Sequence, residues 1–344
     1  MSQTFSHDRS RRQLIIAAAL YLPQSALVWA APQTDAHATD PIRFGILPVG
    51  GAEFSSDAWL PVLTDLSRRL GRPISKLSVT SYREMEQALE RNEVDLAFLS
   101  GKLALEAVTN HAMQVIAQIH TGNGLSGYRA TLLALQDGPV HDLEAVLTQP
   151  SRWRLARGEK LSVSGFIVPR LELFLPRGID IETSFRGQIV GTHLRTALAV
   201  ANGEADLATS NSADFERFAL QFPAEAKRLK VLWQSTLIPN GVIVVRLPCC
   251  AALRQQLQDF LTGYGRANGS RSNNEPAILK NLLDRGAGFL PADNSALIPV
   301  AEFIRHMNLD QARSAQWINP AAQQTRLDRI ERDFATQMQV LRGQ

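Results

Sequence analysis

Two runs of short apolar strands that alternate with amphipathic helices limit the fold of this chain more than any other feature. The first run begins with a strand at 42–47 and a helix at 59–70, whose apolar residues share one face and which stops before Gly71. The second run begins with a strand at 160–164 and a helix at 166–174. This alternation is typical of mostly parallel sheets with helices on both faces. The sequence therefore predicts an α/β protein.

A repeated pattern indicates that the chain forms two similar lobes. Residues 93–97 read Glu-Val-Asp-Leu-Ala and residues 204–208 read Glu-Ala-Asp-Leu-Ala, each after a predicted helix. The chain has 344 residues, of which 45% are hydrophobic, and this is longer than a chain that folds around one ordinary hydrophobic core. The expected boundaries are residues 41–133 and 243–344 for a first lobe, 134–242 for a second, and 128–135 and 242–246 for the two crossover segments of a hinge.

Residues 1–30 have the features of an export signal. Arg11 and Arg12 precede an apolar stretch whose continuous part is too short to span a bilayer, and Ala30 suits cleavage. The arginine pair also matches a twin-arginine signal, so the general and the twin-arginine export routes both stay open. We expect cleavage after residue 30, a linker over 31–40, and a soluble exported protein.

Charge and cysteine content exclude several classes of partner and cofactor. The chain has 36 Lys and Arg against 33 Asp and Glu, and residues 1–30 hold three of the former and one of the latter. A nearly neutral remainder gives no reason to expect nucleic acid as a ligand. Cys249 and Cys250 are adjacent, which disfavours a disulfide, and no histidines have metal-ligand spacing. We therefore expect neither a metal nor a cofactor.

The segment 161–165, Leu-Ser-Val-Ser-Gly, is the motif that points most directly to a ligand. Ser162 and Ser164 precede a predicted helix, so their hydroxyls and nearby N–H groups lie at the positive end of its dipole. Such a turn can hold a small oxyanion. An ordinary serine N-cap is the alternative. His193 begins another predicted helix directly after Thr192, where it would either bind the anion or serve as a satisfied interdomain or capping histidine.

Taken together, the motifs resemble those of the periplasmic substrate-binding proteins of ABC transporters for phosphate, phosphite and phosphonate. The resemblance runs from about residue 41 to residue 300. The matching pieces are Phe44–Pro48, Trp59–Pro61, Ser81–Tyr82, Val94–Gly101, Gly127–Ala130, Ser162–Gly165, His193, Asn202–Asp206 and Leu237–Asn240. No single piece is decisive, but their order and spacing are specific.

The resemblance implies a two-lobed, type II periplasmic binding protein that is not an enzyme. It would capture one small phosphorus oxyanion between the lobes and deliver it to an ABC permease in the inner membrane. The implied ligand-binding residues are Tyr82, Ser100, Ser162, Val163, Ser164, Gly165, His193 and Asn240.

The resemblance also bears on which oxyanion binds. Members that take aminoalkylphosphonates use pocket carboxylates to meet the ligand ammonium. The nearest positions here hold Asn240 and Ala213, or Asn211 and Ser212 beside it, with Asp214 one position from Ala213, so the argument depends on register. This favours phosphite, methylphosphonate or phosphate. We expect sulfate to be rejected if a carboxylate accepts a hydrogen bond from a protonated ligand oxygen. The candidate acceptors are Glu53, Asp206 and Asp214.

Three alternatives stay open. A binding protein that serves a receptor kinase would have the same fold and pocket. A hydrolase with Ser162 or Ser164, His193 and Asp206 is disfavoured because the chain has no G-x-S-x-G turn around these serines. The apolar face of a predicted helix at 321–341 would pack on the first lobe or form a dimer contact. We therefore expect a monomer or a weak dimer.

Overall fold

A computed structural model describes residues 40–49, 51–120, 127–266, 274–283 and 288–343. The predicted leader and linker lie outside these residues except for Asp40. The described strands are β1 Ile42–Ile46, β2 Ile74–Ser78, β3 Leu96–Leu99, β4 Met113–His120, β5 Gly127–Leu135, β6 Arg154–Arg157, β7 Gly187–Val190, β8 Leu207–Asn211, β9 Leu229–Pro239, β10 Val242–Arg246 and β11 Gly288–Pro291. The described α-helices are α1 Ala52–Leu70, α2 Tyr82–Glu90, α3 Gly101–Asn110, α4 Leu143–Thr148, α5 His193–Ala201, α6 Ser212–Gln221, α7 Pro223–Ala226, α8 Ala251–Gly263, α9 Glu275–Leu283, α10 Ile298–Ser314 and α11 Pro320–Leu341.

The strands form two sheets, which confirms the predicted two-lobed α/β fold. The strand order is β11-β4-β10-β3-β1-β2 in the first sheet and β7-β6-β8-β5-β9 in the second. β1 runs parallel to β2 and β3, and β6 runs parallel to β7 and β8. β10 and β5 are the reversed strands between parallel neighbours. We call the first sheet with α1–α3 and α8–α11 the first lobe, and the second sheet with α4–α7 the second lobe.

The segments predicted to connect the lobes lie inside the sheets instead. Residues 128–135 belong to β5, which pairs with β8 and β9, and residues 242–246 are β10. The apolar run of β10 is buried, as is usual for a central strand rather than a connection. The chain passes to the second sheet between His120 and Gly127 and returns between Pro239 and Val242. The predicted boundary at residue 133 therefore falls within a strand.

The strand predicted at 160–164 is also wrong. The strand of this region is β6, and residues 163–167 and 169–174 form turns of π-helix where a regular helix was expected. The N–H of Ile167 donates to the carbonyl of Ser162 at 3.1 Å, five residues earlier. Ser162 also accepts a hydrogen bond from the N–H of Gly165 with its side chain. Local side-chain bonds of this kind compete with strand pairing, and here they turn the chain.

An Arg–Asp pair occupies the equivalent place in each lobe, at the acidic residue of the repeated pattern. Asp95 accepts hydrogen bonds from the backbone and guanidinium of Arg43, with N–O distances of 2.6 to 2.9 Å. Asp206 accepts the same three bonds from Arg154 at 2.8 to 3.1 Å. Both pairs are separated by 52 residues. Although burial acts to raise it, the arginine hydrogen bonds and charge lower the pKa of each carboxyl.

The C-terminal helix packs on the first lobe. The prediction at 321–341 is confirmed as α11, whose neighbours are α10 and α3. Its buried side chains are Ile330, Met338 and Leu341. In the described part of the chain, no helix combines the length and apolar content that a membrane crossing requires.

Candidate ligand-binding site

A cavity of about 100 Å³ is lined by residues of both lobes. Seven of the eight residues predicted to bind ligand line it, and Gly165 does not. The predicted residues at the wall are Tyr82, Ser100, Ser162, Val163, Ser164, His193 and Asn240. The polar wall residues outside the predicted ligand-binding set are Ser55, Tyr128, Asn211 and Arg217, together with Asp214, which was predicted only as a candidate acceptor.

Several helices begin at this cavity. Tyr82 and His193 are the first residues of α2 and α5, and Ser100 and Asn211 are the N-caps of α3 and α6. Ser162 is the N-cap of the π-helical turn. Each helix start has N–H groups without an intrahelical acceptor and a partial positive charge, so their convergence favours an anion.

The serine hydroxyls form the centre of the polar wall. Ser164 Oγ lies 3.1 Å from Nε2 of His193 and accepts a hydrogen bond from Asn211 Nδ2 at 3.2 Å. Ser162 Oγ accepts from the N–H of Gly165 at 3.0 Å, which leaves its own hydrogen free to donate. The turn therefore both caps a helix and presents hydroxyl donors to the cavity.

Gly165 supports the turn from behind the wall. A Cβ at this position would lie 2.8 Å from Gly158 Cα and 2.9 Å from Ser162 Oγ. The carbonyl of Gly165 accepts hydrogen bonds from Thr209 Oγ1 at 2.6 Å and from the N–H of Gly158. Only glycine allows these two backbone segments to approach so closely.

His193 is held in its neutral form. Burial lowers the pKa of the imidazole, and the negative charge of Asp214, whose Oδ2 lies 3.9 Å from His193 Nε2, offsets only part of that effect. A neutral imidazole has one donor and one acceptor nitrogen. With its proton on Nε2, neutral His193 donates to Ser164 Oγ, which leaves the Ser164 hydrogen for a ligand without adding a buried positive charge.

The neutral state of His193 makes the ligand-free protein sensitive to mild acid. An unfolded histidine titrates near 6.5 and folded His193 lower, so protons bind preferentially to the unfolded chain as pH falls below about 6.5. We expect the free energy of unfolding of the wild type, relative to His193→Gln, to decrease between pH 7.5 and 5. Thermal unfolding across this range measures it, with the exposed His141→Gln as the control. A difference that stays constant or grows as pH falls would contradict the assignment.

Two tyrosine hydroxyls add further donors. Burial raises the pKa of both Tyr82 and Tyr128, and the charge of Asp214 raises each further, so both phenols stay protonated. The backbone N–H of Tyr82 also donates to Oε1 of Glu159 at 3.2 Å, a contact between the lobes. Tyr128 lies in the motif 127–130, which contributed to the family resemblance. That motif did not predict a role for the Tyr128 side chain.

An ion pair lines the cavity beside the serines. Asp214 Oδ1 lies 2.7 Å from Arg217 Nη1, and both side chains are largely but not fully buried. Sequence reasoning missed Arg217, although three residues separate it from Asp214 on one helix, a spacing at which side chains meet. Three carboxylates were predicted as candidates to accept a hydrogen bond from a protonated ligand oxygen. Of these, only Asp214 lines the cavity. Glu53 is exposed, and Asp206 pairs with Arg154.

The cavity also has an apolar wall, mostly from the first lobe. Trp59 packs between Phe44 and Phe98. Its ring centroid lies 5.0 and 5.5 Å from theirs, and the rings are tilted by 42° and 34°. Trp59 and Phe98 reach the cavity together with Phe54. The site thus combines a polar end at the helix starts with an apolar end against these rings.

The arrangement does not form the hydrolase triad considered from the sequence. A triad needs the carboxylate on Nδ1 of the histidine and the serine on Nε2. Here Ser164 and Asp214 both face Nε2 of His193, and Asp206 is engaged by Arg154 in a different part of the lobe. The serine hydroxyls are therefore arranged as hydrogen-bond donors and not as nucleophiles.

Comparison with known proteins agrees with this description. The family described as "ABC transporter, phosphonate, periplasmic substrate-binding protein" matches residues 44–297. The phosphonates-binding periplasmic protein of Escherichia coli K12 is 28% identical over 278 residues, which cover 81% of this chain and 80% of that protein.

Solved structures share the fold. A binding protein component of an ABC phosphonate transporter from Pseudomonas aeruginosa is 27% identical, with a TM-score of 0.79 over 88% of this chain and 99% of that one. PhnD1 from Prochlorococcus marinus, solved with methylphosphonate, has a TM-score of 0.67 at 16% identity, over 78% of this chain and 98% of that one. The chain therefore belongs to the family of periplasmic substrate-binding proteins of ABC phosphonate transporters.

Proposed function

We propose that this protein captures one small phosphonate, or a related phosphorus oxyanion, in the cavity between its lobes and delivers it to an ABC permease. The observation that carries the proposal is the convergence of several helix starts on a small cavity with the hydroxyls of Ser162 and Ser164. The proposed ligand-binding residues are Tyr82, Ser100, Ser162, Val163, Ser164, His193 and Asn240, with Tyr128 added and Gly165 as their support.

The donors at the polar end suit a phosphoryl group. An anion that leaves water needs a hydrogen bond for each oxygen, and bonds to charged acceptors are the strongest. Tyr82 and Ser100 approach from the first lobe, and Ser162 and Ser164 from the second. A ligand held by both sets stabilises the state in which the lobes are together, so we expect binding to draw them closer.

Asp214 is the proposed basis for rejecting sulfate. A carboxylate oxygen beside the bound oxyanion accepts a hydrogen bond from a protonated ligand oxygen. An unprotonated ligand would instead set two acceptor oxygens against each other, even though Arg217 balances the charge of Asp214. Phosphite, phosphate and phosphonates carry such a proton in part near neutral pH, whereas sulfate does not. Its position 3.9 Å from His193 Nε2 puts the carboxylate at the polar end.

The remaining parts of the proposal concern export and assembly. Residues 1–30 would direct export and be removed, which leaves the ligand-binding part in the periplasm, where the family acts. The contacts of α11 with the first lobe leave much of its length exposed, which is compatible with a monomer or a weak dimer. Gel filtration of the mature protein and of a chain that ends at Asn319 distinguishes the two.

Calorimetry of the ligand-stripped mature protein tests the proposal. We expect one site per chain for methylphosphonate, phosphite or phosphate, and binding of sulfate weaker by a factor of about 100 or more, since an unprotonated anion faces Asp214. The absence of binding by every phosphorus compound would refute the proposal. So would steady hydrolysis of a phosphonate ester that is lost in Ser164→Ala.

A further inference from the structure

The ion pair of Asp214 and Arg217 forms part of the cavity wall, and both side chains have little solvent exposure. The two side chains are 9% and 12% exposed, and Asp214 Oδ1 lies 2.7 Å from Arg217 Nη1. The other oxygen, Oδ2, accepts a hydrogen bond from Asn211 Nδ2 at 2.7 Å. Both carboxylate oxygens thus have a donor within the protein. A positively charged ligand group would find no uncompensated negative charge at Asp214.

Arg217 is fixed by contacts with both lobes. It lies on α6 of the second lobe, and its Nη2 donates to the carbonyl of Leu282 in the first lobe at 3.3 Å. Its guanidinium also lies 5.6 Å from the ring centroid of Phe54. A planar guanidinium that bonds in one plane and stacks on a ring is held in orientation far better than an ammonium on a flexible stem. Arg217 therefore stays on Asp214 rather than swinging into solvent.

Among the described residues that line the cavity, those of the first lobe offer no other charge partner. Phe54, Trp59, Phe98, Ile119 and Leu282 contribute apolar surface to the cavity. A phosphoryl group at the helix starts would direct its carbon substituent away from the hydroxyls and onto this surface. Burial of apolar groups there is favourable, whereas an ammonium would lose its hydration without compensation.

From these contacts we propose that Arg217 is a specificity-determining residue, and that the cavity selects phosphonates whose carbon substituent is apolar and uncharged. Arg217 acts by neutralising Asp214, the one carboxylate among the described cavity residues. The inference rests on the proposed function, because it concerns the tail of the same ligand. An ammonium-bearing phosphonate would lack a free carboxylate and would approach the guanidinium as a like charge.

A matched pair of ligands tests the proposal directly. Propylphosphonate and 2-aminoethylphosphonate have the same chain length and differ by a terminal methyl in place of an ammonium. We expect wild-type protein to bind propylphosphonate more tightly by roughly tenfold to hundredfold, as one lost charged hydrogen bond implies. A tighter 2-aminoethylphosphonate complex in the wild type would overturn the proposal.

Variants at Arg217 show whether this residue is the cause. In Arg217→Gln the Asp214 carboxylate is released, so the ratio of the two dissociation constants should move toward 2-aminoethylphosphonate by about tenfold or more. Arg217→Lys keeps a positive charge and should keep the wild-type order. The double variant Asp214→Asn/Arg217→Gln should lose the gain, since it has no carboxylate to offer.

The outcomes separate this proposal from the proposed function. Thermal unfolding identifies the variants that are folded. If Arg217→Gln is not folded, the affinities of the wild type for the two ligands decide whether the cavity selects an uncharged substituent. If propylphosphonate binds but the ratio is unchanged in folded Arg217→Gln, the role of Arg217 is wrong and phosphonate capture stands. If neither ligand nor methylphosphonate binds any protein, the proposed function itself fails.

Discussion

Replacement of both Ser162 and Ser164 by alanine is expected to weaken methylphosphonate affinity by roughly a hundredfold to ten-thousandfold. Each hydroxyl bond to a charged acceptor contributes about 1.5–3 kcal/mol, and about 1.4 kcal/mol corresponds to a factor of ten. Ser162 also caps the π-helical turn, so a smaller loss of stability, about 0.5–2 kcal/mol, should accompany it. Calorimetry measures the first effect, and thermal unfolding of ligand-free protein measures the second.

Ser235→Ala is the matched control for this pair. Ser235 is also a buried serine of the second lobe, and its hydroxyl accepts a hydrogen bond from the N–H of Ala130 at 2.9 Å. It does not line the cavity. Its replacement should lower stability and leave affinity unchanged. If the double variant behaves in the same way, the serines only cap the helix and do not hold the ligand.

Gly101→Ala is expected to weaken ligand binding by roughly fivefold to hundredfold. Gly101 begins α3 of the first lobe with φ of 47°, and a Cβ there would lie 1.9 Å from Cγ2 of Val163 in the second lobe. Overpacking costs about 1–3 kcal/mol, and it acts only when the two lobes are in contact. The added strain of a positive φ acts in both states and lowers stability without changing affinity.

The partner side chain provides the test of that explanation. Val163→Ala alone removes the Cγ atoms and should change affinity little through this contact, whereas the double variant Gly101→Ala/Val163→Ala should recover part of the lost affinity. Small-angle scattering with saturating methylphosphonate should show a larger radius of gyration for Gly101→Ala than for wild type. Unchanged affinity in Gly101→Ala would mean that these lobes do not close on the ligand through this contact.

The architecture was largely predictable because local sequence signals agree with the tertiary structure. The helix at 193–201 follows an N-cap threonine and ends before Gly203, and α11 follows its apolar face. The failures have specific causes. Residues 242–245 are apolar and β-branched, which fits a hinge segment or a central strand equally well until the pairing is known. Ser162 turns the chain through a side-chain bond that no periodicity records.

The residues of the candidate site were predictable only where they belong to a recognisable sequence motif. Ser162, Ser164 and His193 lie at helix starts that the sequence displays. Tyr128 and Arg217 depend on tertiary packing. Tyr128 enters the cavity from β5, which was predicted as a hinge segment, and Arg217 enters it from α6, which was not predicted. In the resemblance, the position of a pocket carboxylate was assigned to Ala213, and Asp214 lies one position later in the sequence. A shift of one residue on a helix turns the side chain by about 100°, so both residues reach the wall only because the cavity wraps around the start of α6.

The Arg–Asp pairs of the two lobes identify equivalent positions in the cavity wall. Ser100 and Asn211 each follow the paired aspartate by five residues, at the end of a strand and at the cap of the next helix. They are thus equivalent half-sites that face one cavity. They have diverged. The amide of Asn211 donates hydrogen bonds to Ser164 and Asp214, whereas the side chain of Ser100 makes no cap bond in α3. Because a phosphonate has like oxygens at one end and an unlike carbon at the other, we expect this divergence to give the bound molecule a single direction.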